Sequence, residues 1–355
     1  HAAPDGDGGL FALSATTGSP HGLDLRVVRI EGDGRRAWVR SLPGDAGRDE
    51  VPLAFDVAGA GPCVVYATFA GPDRVARAVC TDPAGAIRWQ ADVPGVNLGL
   101  DSFGPRGTLA MGATPDGGVV VAAASTENPG HLVVIRLGPT GGEMWRTTLE
   151  PPDGPVGTVE AHATADGGVV VALPGARVLR LDATGAVAWS RSPAGPAGAF
   201  PYLPTTLVVG PAGDVLVRGW EQGSKLPTPV VARYSPTGDL QWRTSPYDDL
   251  SIVAAFGEAG ESLHADGYGR RLVVTALDSA GVRLWTASHD LAGYRIADLA
   301  AVLPDAAGVI LVGTGVRTVG EGETRAPFAV ALDATGALRW ENVREPAAGP
   351  GFAMA

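Results

Sequence analysis

Short apolar runs recur along the whole chain, and each is bounded by Gly, Pro or Asp. Over 106–148 the pattern predicts four strands, at 106–113, 118–124, 131–137 and 142–148. Runs of this length, rich in Val and preceded by Gly-containing turns, are typical of antiparallel β-strands rather than of amphipathic helices. The pattern therefore predicts an all-β chain.

A tryptophan marks the last strand of each four-strand unit. Seven of the eight Trp have a Gly four residues earlier, and successive members of this set lie 43 to 56 residues apart. The pairs are Gly34/Trp38, Gly85/Trp89, Gly141/Trp145, Gly185/Trp189, Gly238/Trp242, Gly281/Trp285 and Gly336/Trp340. Four-strand units at a period of about 50 residues are typical of propeller blades, whereas solenoids have shorter repeats and capping units. The sequence predicts a seven-bladed β-propeller of four-stranded antiparallel blades.

The repeat also predicts the blade boundaries within a single domain, 1–355. They are 1–42 plus 349–355 for blade 1, 50–92 for blade 2, 106–148 for blade 3, 157–191 for blade 4, 203–244 for blade 5, 250–288 for blade 6 and 295–342 for blade 7. The N-terminus matches the second strand of a unit, and GFAMA at 351–355 matches the first strand GTLAMGA at 107–113. We therefore expect the C-terminal strand to join the N-terminal blade and close the ring, which removes free sheet edges.

Two motifs carry a resemblance to a known family. LDATGAVAW at 181–189 and LDATGALRW at 332–340 share one pattern, and PDGGVVVAA at 115–123 represents the other. They resemble the bacterial β-propeller repeat of exported and surface proteins from high-GC bacteria and, more distantly, the tryptophan-docking repeat of pyrroloquinoline-quinone enzymes. The resemblance covers about residues 4–355. It implies the propeller fold and a secreted, periplasmic or outer-surface location, and no single activity.

The seven repeat Trp are expected to pack between neighbouring blades, because they occupy the same place in every unit. Function on such a scaffold is expected where the loops differ. The turns between strands 1 and 2 and between strands 3 and 4 are short and uniform. The loops between strands 2 and 3 vary, from a minimal turn at 174–176 to predicted long loops at 221–228 and 316–325.

The leading hypothesis is a monomeric, non-enzymatic propeller whose variable loops bind a protein or glycan at one composite site. Aromatic and acidic side chains on the variable strand 2–3 loops and on the connections between blades are the candidate ligand-binding residues. They are Asp101, Phe103, Tyr202, Trp220, Glu221, Tyr247 and Asp249.

The alternative hypothesis is an enzyme, a hydrolase or lyase acting on a glycan or another small polar substrate at the mouth of the central channel. Carboxylate, imidazole, phenol and guanidinium groups could supply general acid–base chemistry there. The candidate catalytic residues are Tyr247, Asp248, His289, Tyr294 and Arg295. The same residue types are also ordinary in solvated turns, so a surface role for each stays open.

The two cysteines are expected to form a disulfide. If the hairpin around 71 and 72 is centred between those residues, Cys63 and Cys80 lie directly opposite each other. Opposed Cβ atoms on neighbouring strands are close to disulfide range. A Cys63–Cys80 disulfide would favour an oxidising compartment, with two buried thiols as the alternative.

Charge narrows the partner classes. The formal net charge of −11 and the lack of a basic cluster argue against nucleic acid as a partner.

No apolar run is long enough to span a membrane. The six His show no two-His zinc spacing, and no phosphate-binding or serine-elbow motif is present. We therefore expect no metal and no cofactor.

Overall fold

A computed structural model describes most of the chain. The described residues are 2–4, 9–19, 22–31, 35–43, 49–70, 73–98, 100–101, 104–105, 109–128, 130–150, 159–173, 177–191, 203–222, 227–244, 253–257, 260–305, 307–319 and 322–343. They form strands and turns, with no helix among them. The chain divides into two compact units, His1–Ser192 together with Ala355, and Pro193–Met354.

The first unit contains blades 1 to 4. Blade 1 consists of β1 (Ala2–Pro4), β2 (Leu10–Ser19), β3 (Gly22–Ile30) and β4 (Arg36–Ser41). Blade 2 consists of β5 (Asp49–Ala58), β6 (Gly61–Ala70), β7 (Asp73–Thr81) and β8 (Ile87–Asp92). Three short strands follow, β9 (Val96–Asn97), β10 (Leu100–Asp101) and β11 (Gly104–Pro105). Blade 3 consists of β12 (Leu109–Ala113), β13 (Val119–Ser125), β14 (Leu132–Leu137) and β15 (Glu143–Leu149). Blade 4 consists of β16 (Glu160–Ala163), β17 (Val169–Leu173), β18 (Arg177–Leu181) and β19 (Val187–Arg191).

The second unit contains blades 5 to 7. Blade 5 consists of β20 (Leu203–Val209), β21 (Val215–Gln222), β22 (Pro227–Tyr234) and β23 (Leu240–Thr244). Blade 6 consists of β24 (Val253–Phe256), β25 (Ser262–Tyr268), β26 (Arg271–Leu277) and β27 (Arg283–Asp290). Blade 7 consists of β28 (Arg295–Asp305), β29 (Gly308–Val319), β30 (Gly322–Asp333) and β31 (Leu338–Val343).

The predicted fold class is confirmed: the chain is an all-β, seven-bladed propeller. In every blade the four strands pair antiparallel and in chain order. The first strands of successive blades contact one another within each unit, as the inner strands of propeller blades do. In blade 3 the last three strands begin one residue later than predicted, and β13 and β15 also end one residue later.

The strand predicted to close blade 1, at 349–355, lies outside the described residues. The place next to β2 is taken by β1, in which Ala2 pairs with Ala12 and Pro4 pairs with Leu10. Blade 1 therefore has four strands from its own N-terminal sequence, although no first strand was expected there. That the whole chain forms one closed domain stays a prediction.

The continuous Val-rich runs are the second strands of the blades. In β13, residues Val119 to Ala123 are all fully buried, because both faces of the strand are covered by neighbouring sheets. A buried strand reads as an uninterrupted apolar run, whereas β8 at the outer side of blade 2 has mostly exposed side chains. The core of each unit therefore lies between the faces of consecutive blades.

The repeat Trp pack as predicted. The Nε1–H of Trp38 donates to the Pro83 carbonyl at 3.1 Å, and that of Trp145 donates to the Ala183 carbonyl at 2.8 Å. Each accepting carbonyl belongs to the turn between strands 3 and 4 of the following blade. In blade 5, Trp242 donates in the same way to Ser279 at 2.9 Å. The repeat Trp therefore fastens one blade to the next.

The repeat Gly has two roles. Gly141 has φ +82°, in the left-handed region that the turn requires. A Cβ on Gly141 would also lie 2.9 Å from the ring of Trp89 in the preceding blade. Gly185 stands in the same relation to Trp145. The Gly and the Trp of one Gly–x–x–x–Trp motif therefore make two separate contacts. The Gly packs against the Trp of the preceding blade, and the Trp bonds to the following blade.

Candidate functional site

The blades have two unlike edges. The turn edge carries the turns between strands 1 and 2 and between strands 3 and 4, such as 114–118 and 138–142 in blade 3. The hairpin edge carries the connections between strands 2 and 3. At the hairpin edge the strands differ in length, from five residues each in blade 4 to twelve residues each in blade 7.

Two regions predicted as long loops are paired strands instead. Residues 221–222 and 227–228 continue the ladder of blade 5, with Glu221 opposite Thr228. Residues 316–319 and 322–325 do so in blade 7, with Val316 opposite Arg325. For these described residues the prediction of loops was wrong, because their backbones continue the strand pairing. The hairpin edge of blades 5 and 7 therefore consists of extended β-ribbons.

Side chains on the turn edge are engaged by the scaffold. In blade 4, Asp166 accepts hydrogen bonds from Thr164 Oγ1 at 2.5 Å and from Arg180 at 2.6 Å. The hydrogen bond from Thr164 and then the charge of Arg180 hold the pKa of Asp166 below its ordinary value, against an opposing effect of burial. Equivalent ion pairs join Asp116 to Arg136 in blade 3 and Asp214 to Arg233 in blade 5. Each pair ties a turn to the third strand of its blade.

Blade 2 has a disulfide at this position. Cys63 and Cys80 are bonded and face each other across β6 and β7, so the predicted disulfide is confirmed. Cys80 pairs with Trp89 on the fourth strand, as Arg136 pairs with Trp145 in blade 3. The disulfide therefore occupies the place that Arg takes in blades 3 to 5.

The side chains of all seven predicted ligand-binding residues lie outside the described part of the structure. Phe103, Tyr202, Tyr247, Asp248 and Asp249 lie outside the described residues. Asp101 lies in β10, and Trp220 and Glu221 lie in β21, strands whose backbone is described.

Of the predicted catalytic residues, His289, Tyr294 and Arg295 are described, and they have different partners. His289 Nε2 lies 2.5 Å from Glu341 Oε2, and Arg295 lies 3.3 Å from Glu323 Oε1. Tyr294 is buried, with the guanidinium of Arg317 lying 5.3 Å from its ring centre. His289 also belongs to β27, not to an inter-blade connection as predicted. The three side chains therefore engage three different partners, which gives no support for a shared catalytic centre among them.

A row of side chains at the hairpin edge of blade 6 was missed. Tyr268, at the end of β25, pairs with Arg271, which in turn pairs with Asp290 on β27. Arg271 Nε lies 3.1 Å from Asp290 Oδ1, and Tyr268 is 80% exposed. Paired residues in a sheet share a face, so the phenol, the guanidinium and the carboxylate form one row. The signal in the sequence was Tyr–Gly–Arg–Arg at 268–271, a tight turn flanked by an aromatic and two cations.

Blade 7 places a second row beside the first. Arg295 pairs with Val316, and Val316 pairs with Arg325. The amide of Ile296 donates to the carbonyl of Gly269 at 2.6 Å, which brings this end of β28 against the turn of blade 6. The two rows therefore lie at the same edge of the second unit.

A carboxylate joins two first strands of the other unit. Asp56 on β5 accepts the amide N–H of Ala113 on β12 through Oδ2, and the N–H of Val57 through Oδ1, both at 2.8 Å. Burial raises the pKa of Asp56, while the Ala113 hydrogen bond and the charge of His162 oppose the rise. This residue was not predicted, although an Asp within LAFDVA at 53–58 was a visible signal. Its bonds tie blade 2 to blade 3.

A buried histidine lies on the same strand as Tyr268. His264 is fully buried, with Nε2 3.0 Å from Ser262 Oγ. Burial, followed by the charge of Arg218, lowers the pKa of His264 to about 3. The imidazole is therefore neutral at physiological pH, and its burial assigns it to the interior rather than to a binding surface.

Within the described part of the chain, no cluster of three or more His, Cys, Asp or Glu is arranged to hold a metal ion. The same residues include no helix long and apolar enough to cross a membrane.

Comparison with known proteins identifies a family and a fold. A family model described as outer membrane protein assembly factor BamB matches residues 23–247, in agreement with the predicted bacterial propeller repeat. BamB from Moraxella catarrhalis is similar in structure, with a TM-score of 0.50 and 17% identity over 98% of this chain and 88% of that chain. Sqt1 from Saccharomyces cerevisiae gives a TM-score of 0.54 and 10% identity over 90% of this chain and 81% of that chain. A search of curated proteins gave no sequence match. At these identities the structural likeness shows the fold alone.

Proposed function

Since the chain belongs to the family described as outer membrane protein assembly factor BamB, we propose that it is an exported scaffold whose hairpin edge binds another protein. The observation that carries the proposal is the contrast between the two edges. On the turn edge the repeated Trp, Asp and Arg side chains bond to the scaffold. On the hairpin edge the strands differ in length from blade to blade, which is the usual property of a binding surface.

The exposed side chains of the hairpin edge suit a protein partner. Tyr and Arg are enriched where protein interfaces gain most of their binding energy, and Tyr268 and Arg271 stand together at this edge. A protein partner is favoured over a glycan because the ribbons of blades 5 and 7 offer extended, differing surfaces, whereas repeated sugar sites would require repeated loops. The proposed binding protein has no catalytic role and is a monomeric ring of seven blades.

The proposed location is the cell envelope, in the periplasm or at the outer surface. The Cys63–Cys80 disulfide supports it, because such bonds persist in oxidising compartments. The family's name, which refers to outer membrane protein assembly, supports it independently.

Site-specific photocrosslinking in the source cells tests the proposal. A photoreactive residue is placed at Thr318 or Arg325 on the hairpin edge, or at Thr184 or Thr335 on the turn edge as matched exposed controls. We expect a discrete protein adduct from the first pair only, because the hairpin edge is where the strands differ in length from blade to blade. Adducts from the turn edge alone, or none from either edge, would contradict the proposal.

A further inference from the structure

We infer that the hairpin edge of blades 6 and 7 is a docking surface for an acidic segment of a partner protein. The inference rests on the proposed function and adds to it the place and the chemistry of the contact. The docking surface is defined by Tyr268, Arg270, Arg271, Asp290, Arg295, Glu323 and Arg325.

The docking surface is held in place by main-chain hydrogen bonds. The carbonyl of Arg270 accepts the amide N–H of Leu291 at 2.7 Å, and the carbonyl of Gly269 accepts that of Ile296 at 2.6 Å. These bonds fasten the turn that displays Tyr268 to the connection between the two blades. A turn whose backbone is held in this way loses little backbone freedom on binding, which favours affinity.

Apolar packing below the docking surface supports the same geometry. Leu291, Tyr294 and Ile296 are buried, and a Cβ on Gly267 would lie 2.7 Å from Ile296. A Cβ on Gly315 would lie 3.0 Å from Tyr294. The two glycines therefore permit a close approach of the connection to blades 6 and 7. The exposed side chains of the docking surface lie above this packed apolar layer.

The charge of the docking surface is opposite to that of the chain. Its exposed side chains include four Arg and two carboxylates, whereas the chain as a whole carries −11. Both carboxylates are engaged: Arg271 bonds to Asp290, and Arg295 bonds to Glu323. The hydrogen bond from Arg271 also holds the pKa of Asp290 below its ordinary value. The next acid along β28, Asp298, lies further along that strand, opposite Thr314.

The excess positive charge is what selects an acidic partner. Arg270 and Arg325 are exposed beyond the two ion pairs, so carboxylates of an incoming segment can reach their guanidinium groups. Tyr268 offers an aromatic face between charged neighbours, a combination common in protein interfaces. A basic segment would be repelled by the same four Arg.

Selection of peptides from a phage-displayed random 12-mer library on the immobilised full chain tests this inference. Enriched peptides are then synthesised with a fluorophore, and their affinities are measured by fluorescence anisotropy at low and at physiological salt. We expect enriched peptides to be acidic and to bind more weakly as salt increases. Copies with Asp and Glu replaced by Asn and Gln should lose about tenfold or more in affinity.

Variants locate the contact. Tyr268→Ser and the double variant Arg270→Glu with Arg325→Glu should each weaken binding about tenfold or more. Arg283→Glu is the matched control, since Arg283 is exposed and begins β27 at the opposite edge. It makes at one position the charge change that the double variant makes at two, and it should leave affinity within about twofold. Circular dichroism of each variant confirms that it is folded.

Four results would overturn the inference. The first two are enrichment of neutral or basic peptides and no enrichment of any peptide. The third is binding of acidic peptides with an affinity that the Tyr268 and Arg variants do not change. The fourth is binding to an oligosaccharide array that depends on Tyr268 when peptide binding does not. If acidic peptides bind but respond to Glu127→Arg at the hairpin edge of blade 3, this inference fails while the proposed function stands. If they respond only to turn-edge variants such as Arg283→Glu, both fail.

Discussion

The two edges of the blades use the same residue types for different purposes. On the turn edge, Arg180 bonds to Asp166 within its blade and Trp145 bonds to the next blade. On the hairpin edge, Arg270 and Tyr268 are exposed on a turn that main-chain bonds already hold. The Trp, Asp and Arg that repeat from blade to blade therefore build the fold, whereas residues that differ between blades are available to a partner.

The largest effect is expected from removing a turn-edge tryptophan. Trp89 is 6% exposed and donates to the Gly117 carbonyl at 3.0 Å. Trp89→Ala should lower the free energy of unfolding by about 3–5 kcal/mol, because it leaves a cavity and removes a bond between blades. Denaturant unfolding measures this loss.

The matched control is Trp340→Ala, since Trp340 holds the same repeat position but is 41% exposed. Its loss should be clearly smaller. Equal losses would show that the contact with the next blade is not what makes the repeat Trp stabilising.

The second effect concerns the disulfide that replaces an ion pair in blade 2. Cys63 and Cys80 are 17 residues apart in sequence. Replacing both with Ala should cost about 3 kcal/mol, the value expected for a closed loop of this length. Urea unfolding with and without reductant checks it: reductant should destabilise the native chain and leave the double variant unchanged. A native chain indifferent to full reduction would contradict the prediction.

The third effect is a pH dependence of folding stability that is caused by the buried His264 of β25. The pKa of His264 is about 3 when folded, below its ordinary value of 6.5. Between these values the unfolded chain binds a proton that the folded chain does not, so stability is full above pH 6.5 and decreases as the pH falls. Going from pH 7 to pH 5 should cost about 2 kcal/mol through this group.

His264→Gln should reduce that slope, whereas Tyr268→Ser on the same strand should leave it unchanged. Unfolding curves at pH 7, 6 and 5 provide the comparison. A slope that is the same in all three chains would show that His264 is not the group responsible.

The smallest of these effects compares one glycine from each edge. Gly141 and Gly130 have φ +82° and +89°, so Ala at either position is strained by about 1 kcal/mol or more. Only at Gly141 would the new Cβ meet a neighbour, the Trp89 ring, whereas at Gly130 nothing lies within 4 Å. Gly141→Ala should therefore cost about 1–3 kcal/mol more than Gly130→Ala in thermal unfolding. Equal costs would mean that the ring can move away freely.

The scaffold could be predicted from the sequence because its contacts repeat. A Gly with positive φ, followed four residues later by a Trp of the same blade, recurs along the chain, so the number of blades and the shared role of the Trp could be predicted. The Cys63–Cys80 bond could be predicted because a tight hairpin determines which residues face each other.

The candidate site could not be predicted in the same way. Tyr268 and Arg325 do not belong to the repeated motifs, so no pattern marks them. They lie at the same edge because the amide of Ile296 bonds to the carbonyl of Gly269. His289 was taken for a loop residue because nothing in the local sequence shows that β27 extends to Asp290. Exposed residues leave no hydrophobic pattern, so only the three-dimensional arrangement groups them.

We predict that the side chains of the docking surface of blades 6 and 7 contribute little to folding stability, so that they are free to contact a partner. The most direct measurement is the urea unfolding curve of a variant with Tyr268, Arg270 and Arg325 all changed to Ser. The free energy of unfolding of this variant should lie within about 0.5 kcal/mol of that of the native chain, since the three side chains are exposed. A loss of about 2 kcal/mol or more, comparable to turn-edge variants, would contradict it.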